Sequence, residues 1–293
     1  MRTCARIMII VCSVLLSPIA AAAPDWFTTI VGRVLTDARS ADSAWHRLKA
    51  HVDLVTPPQA SAAEPAPLVL MVPGCLGWRP HDDRWRQVLL DAGFAVMHVD
   101  SFAARGLTDP KAIEAVVCEG EGVYGFERAG DMALALARHP IPAAVDRTRI
   151  ALAGWSHGGW AAWSLMHFAV RNKIPPGLKE WPRPDPAQLR AVIAVYPYCG
   201  FGTHSWAPVR DATPPSLLVL AGRDENVESA PCRSRARTAQ ARGAVVEVVE
   251  LPTATHWFDN DGDFDLMPHE FDPEATSDVE RRILELLNRT LRE

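Results

Sequence analysis

The sequence predicts an α/β fold in which a mostly parallel central sheet is flanked by helices on both faces. Two observations predict it. Short apolar runs alternate with longer amphipathic segments along most of the chain, as strands and helices do when they follow one another in turn. The apolar runs also show little polar alternation, which is expected of strands that are covered on both faces.

The N-terminal part of the chain shows little regular hydrophobic pattern, and clear strand and helix patterns follow it. Residues 25–65 suggest a helix near Ser43–Lys49, a short strand near His51–Val55 and a Pro/Ala-rich linker. Strands are then predicted at Leu68–Val72, Ala95–Val99, Ile150–Ala153, Ala191–Tyr196, Ser216–Ala221 and Val245–Leu251. Helices are predicted at Arg84–Ala92, Gly125–Arg138, Gly159–Val170, Ala230–Ala241 and Ser277–Leu291. The stretch Arg171–Pro186 is predicted to be a connecting loop, with a lid as the alternative.

The first residues have the features of a secretory signal peptide. Arg2 and Arg6 precede an apolar run over Ile7–Ile19, and residues 20–23 are alanines that offer cleavage sites. Cleavage after Ala22 is preferred because Pro24 disfavours a cut directly before it; a retained membrane anchor is the alternative. The chain is therefore divided into a signal peptide (1–22), an N-terminal segment and linker (23–64) and a main domain (65–293), with a periplasmic or secreted location.

Charge and cysteine content narrow the function classes. The net charge of −5 and the lack of a basic run argue against a nucleic-acid partner, and no later segment is apolar enough to span a membrane. Two of the six cysteines leave with the signal peptide, and Cys75, Cys118, Cys199 and Cys232 remain. Their spacing does not suggest a zinc site. In an oxidising compartment the predicted topology suggests the pairs Cys75–Cys118 and Cys199–Cys232, with free buried thiols as the alternative.

A candidate nucleophile lies at a predicted strand–turn–helix junction. The apolar run Ile150–Ala153 leads into Gly154-Trp-Ser-His-Gly158, and a helical segment follows. Such a turn holds the hydroxyl of Ser156 clear of the backbone, and the two glycines leave room for the neighbouring strand and helix. The serine needs a base and an oriented carboxylate.

Both partners occur downstream in the expected order. Asp224 follows the strand that ends at Ala221, and His256 follows the strand that ends at Leu251. We predict a Ser156–Asp224–His256 triad, and prefer Asp224 to Glu225 because it lies closer to the strand end. His157 is expected to point away from the hydroxyl, but its backbone N–H is a natural oxyanion donor. The second donor is predicted to be the N–H of Cys75, with Leu76 as the alternative.

These residues resemble the dienelactone hydrolase family within the α/β-hydrolase fold. The resemblance covers about residues 65–259 and includes the Pro73–Trp78 loop, Asp100–Gly106, Arg128 with Asp131, Tyr196-Pro197 and Thr255–Asp259. It implies that the 65–293 domain hydrolyses a small-molecule ester or lactone without a metal or organic cofactor. Two departures matter: the archetypal family nucleophile is cysteine, whereas Ser156 stands here, and Pro73 replaces a histidine often found before the oxyanion glycine. Both favour a serine esterase over a dienelactone substrate.

Other interpretations stay open at this point. An amidase or peptidase would use the same triad, an acyltransferase is a weaker rival, and a ligand-binding homologue without catalysis is the rival from another class. Arg105 is expected to pair with Asp100 or another acid rather than to bind substrate, and Arg128 and Asp131 to pair across a helix face. The acidic run Asp259–Asp265 is expected to be a solvated loop, with a calcium site as the alternative. The oligomeric state and the substrate are not predicted.

Overall fold

The computed structural model describes residues 25–204, 206, 208, 213–262 and 268–292. Its centre is a seven-stranded sheet with the strand order β1-β3-β2-β4-β5-β6-β7. The strands are β1 Val52–Val55, β2 Ala66–Val72, β3 Ala95–Val99, β4 Val145–Trp155, β5 Leu189–Val195, β6 Ser216–Ala221 and β7 Val246–Leu251. Edge strand β1 is antiparallel to β3, and the remaining pairs are parallel. The predicted mostly parallel sheet is confirmed.

Helices connect the strands. They are α1 Asp25–Leu35, α2 Ala41–Leu48, α3 Pro80–Asp91, α4 Pro110–Ile113, α5 Gly125–Arg138, α6 His157–Arg171, α7 Ser229–Ala241 and α8 Pro273–Leu291. Short 3-10 turns lie at Lys49–His51, Ala103–Arg105 and Pro186–Gln188, and a π-type turn at Glu114–Cys118 continues α4. No helix in the described ranges is both long and apolar enough to cross a bilayer. The predicted signal peptide, residues 1–22, lies outside the described residues.

The sheet separates two apolar layers. Alternate residues of β2 face opposite ways, so that Leu68 and Leu70 join the layer beneath α5 and α6, while Val69 and Met71 join the layer beneath α3 and α8. Every residue of β2 and β6 is buried, which explains the absence of polar alternation in these runs. On edge strand β7, Glu247 and Glu250 are exposed.

Several elements differ from the prediction. Strand β4 begins at Val145 rather than Ile150, and the short helix α4 was not predicted. Helix α3 begins four residues earlier, because Pro80 is compatible with a first turn and the Asp82 carboxylate accepts the N–H of Arg79 at 2.8 Å. Helix α8 begins at Pro273, where the Asp272 side chain accepts the N–H of Ala275. Helix α1 was not predicted. It buries only Thr28 and Gly32, and Trp26, Ile30 and Val34, which recur every four residues, are exposed.

The segment 171–186 packs on the body of the protein as a connection. Leu178 is buried and forms an isolated parallel bridge with Arg39, and the Arg183 Nε donates to the carbonyl of Ala169 at 2.8 Å. None of its residues lines the cleft at Ser156. This supports the predicted connecting loop over the lid.

Candidate active site

Ser156 lies at the apex of the turn between β4 and α6. Its backbone has φ 52° and ψ −119°, a conformation that is costly for a residue with a side chain and that occurs at functional sites. A Cβ on Gly154 would lie 2.2 Å from the carbonyl oxygen of Gly158, and one on Gly158 would lie 2.1 Å from that of Val72. The turn therefore requires glycine at both positions.

Ser156, His256 and Asp224 form one hydrogen-bonded chain. The His256 Nε2 lies 3.0 Å from the Ser156 Oγ, and its Nδ1 lies 2.7 Å from an Asp224 carboxylate oxygen. The side chains of His256 and Asp224 are 3% and 2% exposed, so water barely competes for this contact. The other Asp224 oxygen accepts the backbone N–H groups of Asn226 and Val227. Glu225 is exposed.

The sheet brings these three residues together although a hundred positions separate Ser156 from His256. Each residue follows a parallel strand: Ser156 follows β4, Asp224 follows β6 and His256 follows β7. The carboxyl ends of parallel strands meet at one edge, which is where α/β folds place their ligand sites.

The two predicted oxyanion donors flank Ser156. A Cβ on Gly74 would lie 3.6 Å from the Ser156 Cβ, so the loop after β2 passes beside Ser156. His157 occupies the first turn of α6. Among the described residues, neither the Cys75 nor the His157 backbone N–H donates to a protein acceptor. Both are available to hydrogen-bond an oxyanion.

Two disulfides match the pairs that the topology suggested. Cys75 is bonded to Cys118, and Cys199 to Cys232. The first bridge ties the loop beside Ser156 to the turn that follows α4. The second ties the segment after β5 to α7. Free thiols are therefore the wrong alternative at these four positions.

A small cleft opens beside Ser156. Its walls come from the loop after β2, from the residues next to Ser156 and from the His256 loop: Gly74, Cys75, Leu76, Gly77, His81, Trp155, Tyr196 and Trp257. The walls are mostly apolar, and the polar groups converge at Ser156 and His256. Such a combination is typical of small-molecule sites.

Arg128 lies next to the two predicted oxyanion donors. Its guanidinium contacts the His157 Nδ1 at 2.9 Å and donates to the Pro73 carbonyl at 2.9 Å, and it lies 4.6 Å from the centre of the Phe102 ring. The expected pairing of Arg128 with Asp131 is wrong. Asp131 is 2.6 Å from Arg105 instead, because the Arg128 side chain points under the Ser156 turn.

Arg105 has a structural role, as expected. Besides Asp131 it faces Glu127 at 3.8 Å and donates to the carbonyl of Ser101. Asp100, its other predicted partner, instead accepts the backbone N–H groups of Phe102 and Ala103 at 2.9 Å. Arg105 does not line the cleft at Ser156.

Asp259 is a buried anion on the opposite side of the site. Its carboxylate accepts the indole N–H of Trp85 at 2.7 Å and of Trp155 at 2.9 Å, and the hydroxyl of Tyr196 at 2.6 Å. It is fully buried, so the expectation of a solvated acidic loop is wrong for this residue. Three directed donors replace water. Asp263 and Asp265, the later acids of that run, lie outside the described residues.

Two cleft residues were given no role in the site from the sequence, although Tyr196 was part of the family resemblance. The Tyr196 ring lies 4.6 Å from the His256 ring, and the pKa of its hydroxyl is well above its ordinary value because of burial and of Asp259. His81 accepts the indole N–H of Trp257 at 2.9 Å. Tyr196 could have been found from its position directly after β5. His81 carries no such signal, because its place depends on how α3 packs.

No protein-family model and no curated protein sequence matches the chain. Solved structures do. A Klebsiella pneumoniae protein assigned as a dienelactone hydrolase is similar with a TM-score of 0.58 and 18% identity, over 81% of this chain and 92% of that one. A dienelactone hydrolase-like promiscuous phosphotriesterase from metagenomic libraries has a TM-score of 0.59 and 16% identity, over 82% and 99%.

A third similar structure is esterase 2 of Thermogutta terrifontis phosphorylated by paraoxon, with a TM-score of 0.54 and 19% identity over 81% of this chain and 86% of that one. At these identities the similarity shows the fold. The chain has the α/β-hydrolase fold of dienelactone hydrolase-like proteins, and the resemblance found in the sequence is confirmed at that level.

Proposed function

We propose that this protein is a serine hydrolase that cleaves a carboxylic ester or lactone through Ser156, Asp224 and His256. The observation that carries the proposal is the chain of contacts from the Ser156 Oγ to the His256 Nε2 at 3.0 Å and from the Nδ1 to Asp224 at 2.7 Å. The names of the similar structures, a dienelactone hydrolase and an esterase among them, support the same reaction class.

The first half of the reaction transfers the acyl group to the enzyme. The Ser156 Oγ attacks the carbonyl carbon while its proton moves to the His256 Nε2, and Asp224 stabilises the imidazolium. The carbonyl oxygen becomes an oxyanion that accepts the N–H groups of Cys75 and His157. The intermediate then breaks the bond to the alkoxy group, which takes the proton from His256 and leaves as the alcohol.

The second half restores the enzyme. Water attacks the acyl-enzyme, its proton passes to His256, and a second oxyanion forms in the same place. The bond to the Ser156 Oγ then breaks, the serine recovers its proton, and the carboxylic acid leaves. For a lactone, acid and alcohol remain in one product.

The cleft supports a small substrate. Leu76, Trp155 and Trp257 give it apolar walls close to Ser156. A short-chain or cyclic ester fits this description better than a peptide backbone with side chains on both sides.

The proposal includes a secreted or periplasmic location. It rests on the predicted signal peptide at residues 1–22 and on two disulfides, which persist in oxidising compartments. We place the N-terminal segment at 23–64 and the catalytic domain at 65–293.

The test is labelling of the purified protein with a fluorophosphonate probe, followed by peptide mapping and by assays on matched p-nitrophenyl esters and p-nitroanilides. We expect the label on Ser156, its loss in Ser156→Ala and His256→Ala, and faster cleavage of the esters. Ser164→Ala, a buried serine of α6, is the matched control and should label normally. Faster anilide cleavage would identify an amidase. A folded protein that neither labels nor cleaves would favour the binding-protein alternative.

A further inference from the structure

Arg128 is a buried cation that the reaction described above does not use. It is 1% exposed on α5, and its contacts are to neutral groups: the His157 ring, the Pro73 carbonyl and the face of Phe102. Within the described part of the chain, no carboxylate lies within 4.0 Å of its guanidinium nitrogens, and its Nε has no acceptor. A buried charge without a contacting counter-ion is costly to folding.

The two groups that Arg128 holds belong to the two segments that carry the oxyanion donors. Pro73 lies two residues before Cys75, and His157 itself supplies the other N–H. One planar guanidinium therefore ties the loop after β2 to the first turn of α6, on either side of Ser156. Because two N–H groups of one planar guanidinium bind the two segments, they fix both the distance and the angle between these segments. A single ammonium does not do this.

The His157 ring is held as a neutral acceptor. Its Nδ1 accepts from the guanidinium at 2.9 Å, and the ring also hydrogen-bonds to the Val123 backbone. Burial, with the nearby Arg128 charge as the next cause, keeps the pKa of His157 well below its ordinary value. The ring therefore does not compete with His256 for the serine proton.

Arg128 stays charged at neutral pH. Burial lowers its pKa to about 10, while the more distant Asp100 and Asp131 act in the other direction. Both acids are engaged elsewhere, Asp131 with Arg105 at 2.6 Å and Asp100 with the N–H groups of Phe102 and Ala103. The positive charge beneath the site is therefore not neutralised by direct contact.

We propose that Arg128 is a positioning residue that aligns the two oxyanion donors and places a fixed positive charge beneath the oxyanion. The inference rests on the proposed function of Ser156. A preorganised charge of this kind stabilises the intermediate more than the bound ester, because negative charge develops on the carbonyl oxygen only after attack. Its loss should therefore lower kcat while KM changes little.

The test compares Arg128→Met and Arg128→Lys with the wild type on a p-nitrophenyl ester that the wild type cleaves. By analogy with the loss of one oxyanion donor, Arg128→Met should lower kcat about 100- to 1,000-fold, with KM within about threefold. Arg128→Lys should recover part of the loss, since it keeps the charge but not the fork. Arg105→Met is the matched control: this arginine pairs with Asp131 outside the cleft, so its kcat should stay within about threefold of the wild type.

A second measurement separates this role from general support of the fold. A trifluoromethyl ketone forms a hemiketal with an active serine and then carries an oxyanion. Its affinity should fall in proportion to kcat/KM across the Arg128 variants. If Arg128→Met does not fold, the same comparison is made with Arg128→Lys, whose trifluoromethyl ketone affinity should still fall at least about tenfold.

Three results would overturn the inference. They are an unchanged kcat in a folded Arg128 variant, a lower kcat without weaker trifluoromethyl ketone binding, and an equal loss in Arg105→Met. In each case fluorophosphonate labelling of Ser156 in the wild type would show that the proposed function itself still stands.

Discussion

The two sides of Ser156 are built around buried charges of opposite sign. The residue before Ser156, Trp155, donates its indole N–H to the buried Asp259, and the residue after it, His157, accepts from the buried Arg128. Among the residues that the structure describes, neither charge has a counter-ion in contact: Asp259 is held by neutral donors and Arg128 by neutral acceptors.

This difference matches the charge separation that the proposed reaction requires. The oxyanion forms near the N–H of His157, on the Arg128 side. The imidazolium forms on His256, whose ring packs against the Asp259-bound Tyr196. A pair of fixed charges with this polarity favours the transition state over the neutral ground state. In the proposed reaction, two costly buried charges would therefore act together without contacting each other.

The largest expected effect is the loss of stability on removal of the buried Asp259 carboxylate. Asp259→Leu should lower the free energy of unfolding by about 4 kcal/mol or more, because Trp85, Trp155 and Tyr196 would keep buried donors without acceptors. Urea unfolding measures the change. Asp261→Leu, two residues on and exposed, is the control and should stay within about 0.5 kcal/mol of the wild type. A cost below about 1 kcal/mol for Asp259→Leu would break the comparison, because the buried carboxylate would then not organise this side.

Removing either disulfide is expected to lower stability by a similar amount, but only one of the two removals should lower kcat. They close loops of 43 and 33 residues, so removing either pair with serines should cost about 4 kcal/mol by loop entropy. Cys75 lies in the loop beside Ser156, whereas Cys199 and Cys232 do not line the cleft. We therefore expect Cys75→Ser/Cys118→Ser to lower kcat about tenfold to a hundredfold, and Cys199→Ser/Cys232→Ser to leave it within about threefold. Equal kcat values in the two variants would contradict this.

Acid titration should reveal the Asp82 carboxyl beside Asp259. Burial raises the pKa of Asp82 to about 6, so the folded protein binds this proton more tightly than the unfolded chain. The resulting stability is complete below about pH 4 and is lost as the pH rises through 6. Relative to Asp82→Asn, the wild type should lose on the order of 3 kcal/mol between pH 4 and pH 7. If the free energy of unfolding changed with pH by the same amount in the two proteins over this range, Asp82 would not titrate in this way.

The smallest expected effect concerns one hydroxyl. Tyr196→Phe removes one of the three donors to Asp259 but keeps the ring against His256. The free energy of unfolding should fall by about 1–2 kcal/mol, and kcat should fall only a few-fold. Tyr198→Phe, two residues on and outside the cleft, provides the reference for differential scanning calorimetry and ester assays. If kcat fell by much more than a few-fold while the free energy of unfolding fell as expected, the hydroxyl would have a more direct part in the reaction.

The sequence predicts much of the fold because its signals are local. The strand Ser216–Ala221 and the helix Gly125–Arg138 have the predicted bounds, since an unbroken apolar run and a regular amphipathic period each identify one kind of element. The starts of α3 and α8 were missed because proline and a capping aspartate extend a helix beyond its apolar stripe. Helix α1 was missed although Trp26, Ile30 and Val34 recur at the helical spacing of four residues.

The residues of the candidate triad and of the loop beside it could be predicted from the sequence alone. Ser156, Asp224, His256 and Cys75 each follow a strand, and parallel strands bring their ends to one edge. The side chains that surround these residues are known only from the tertiary structure. Arg128 reaches His157 across 29 positions, and Trp85 reaches Asp259 across 174. Spacing cannot reveal such partners, because a buried charge is satisfied by whichever side chains the packing of distant elements places beside it.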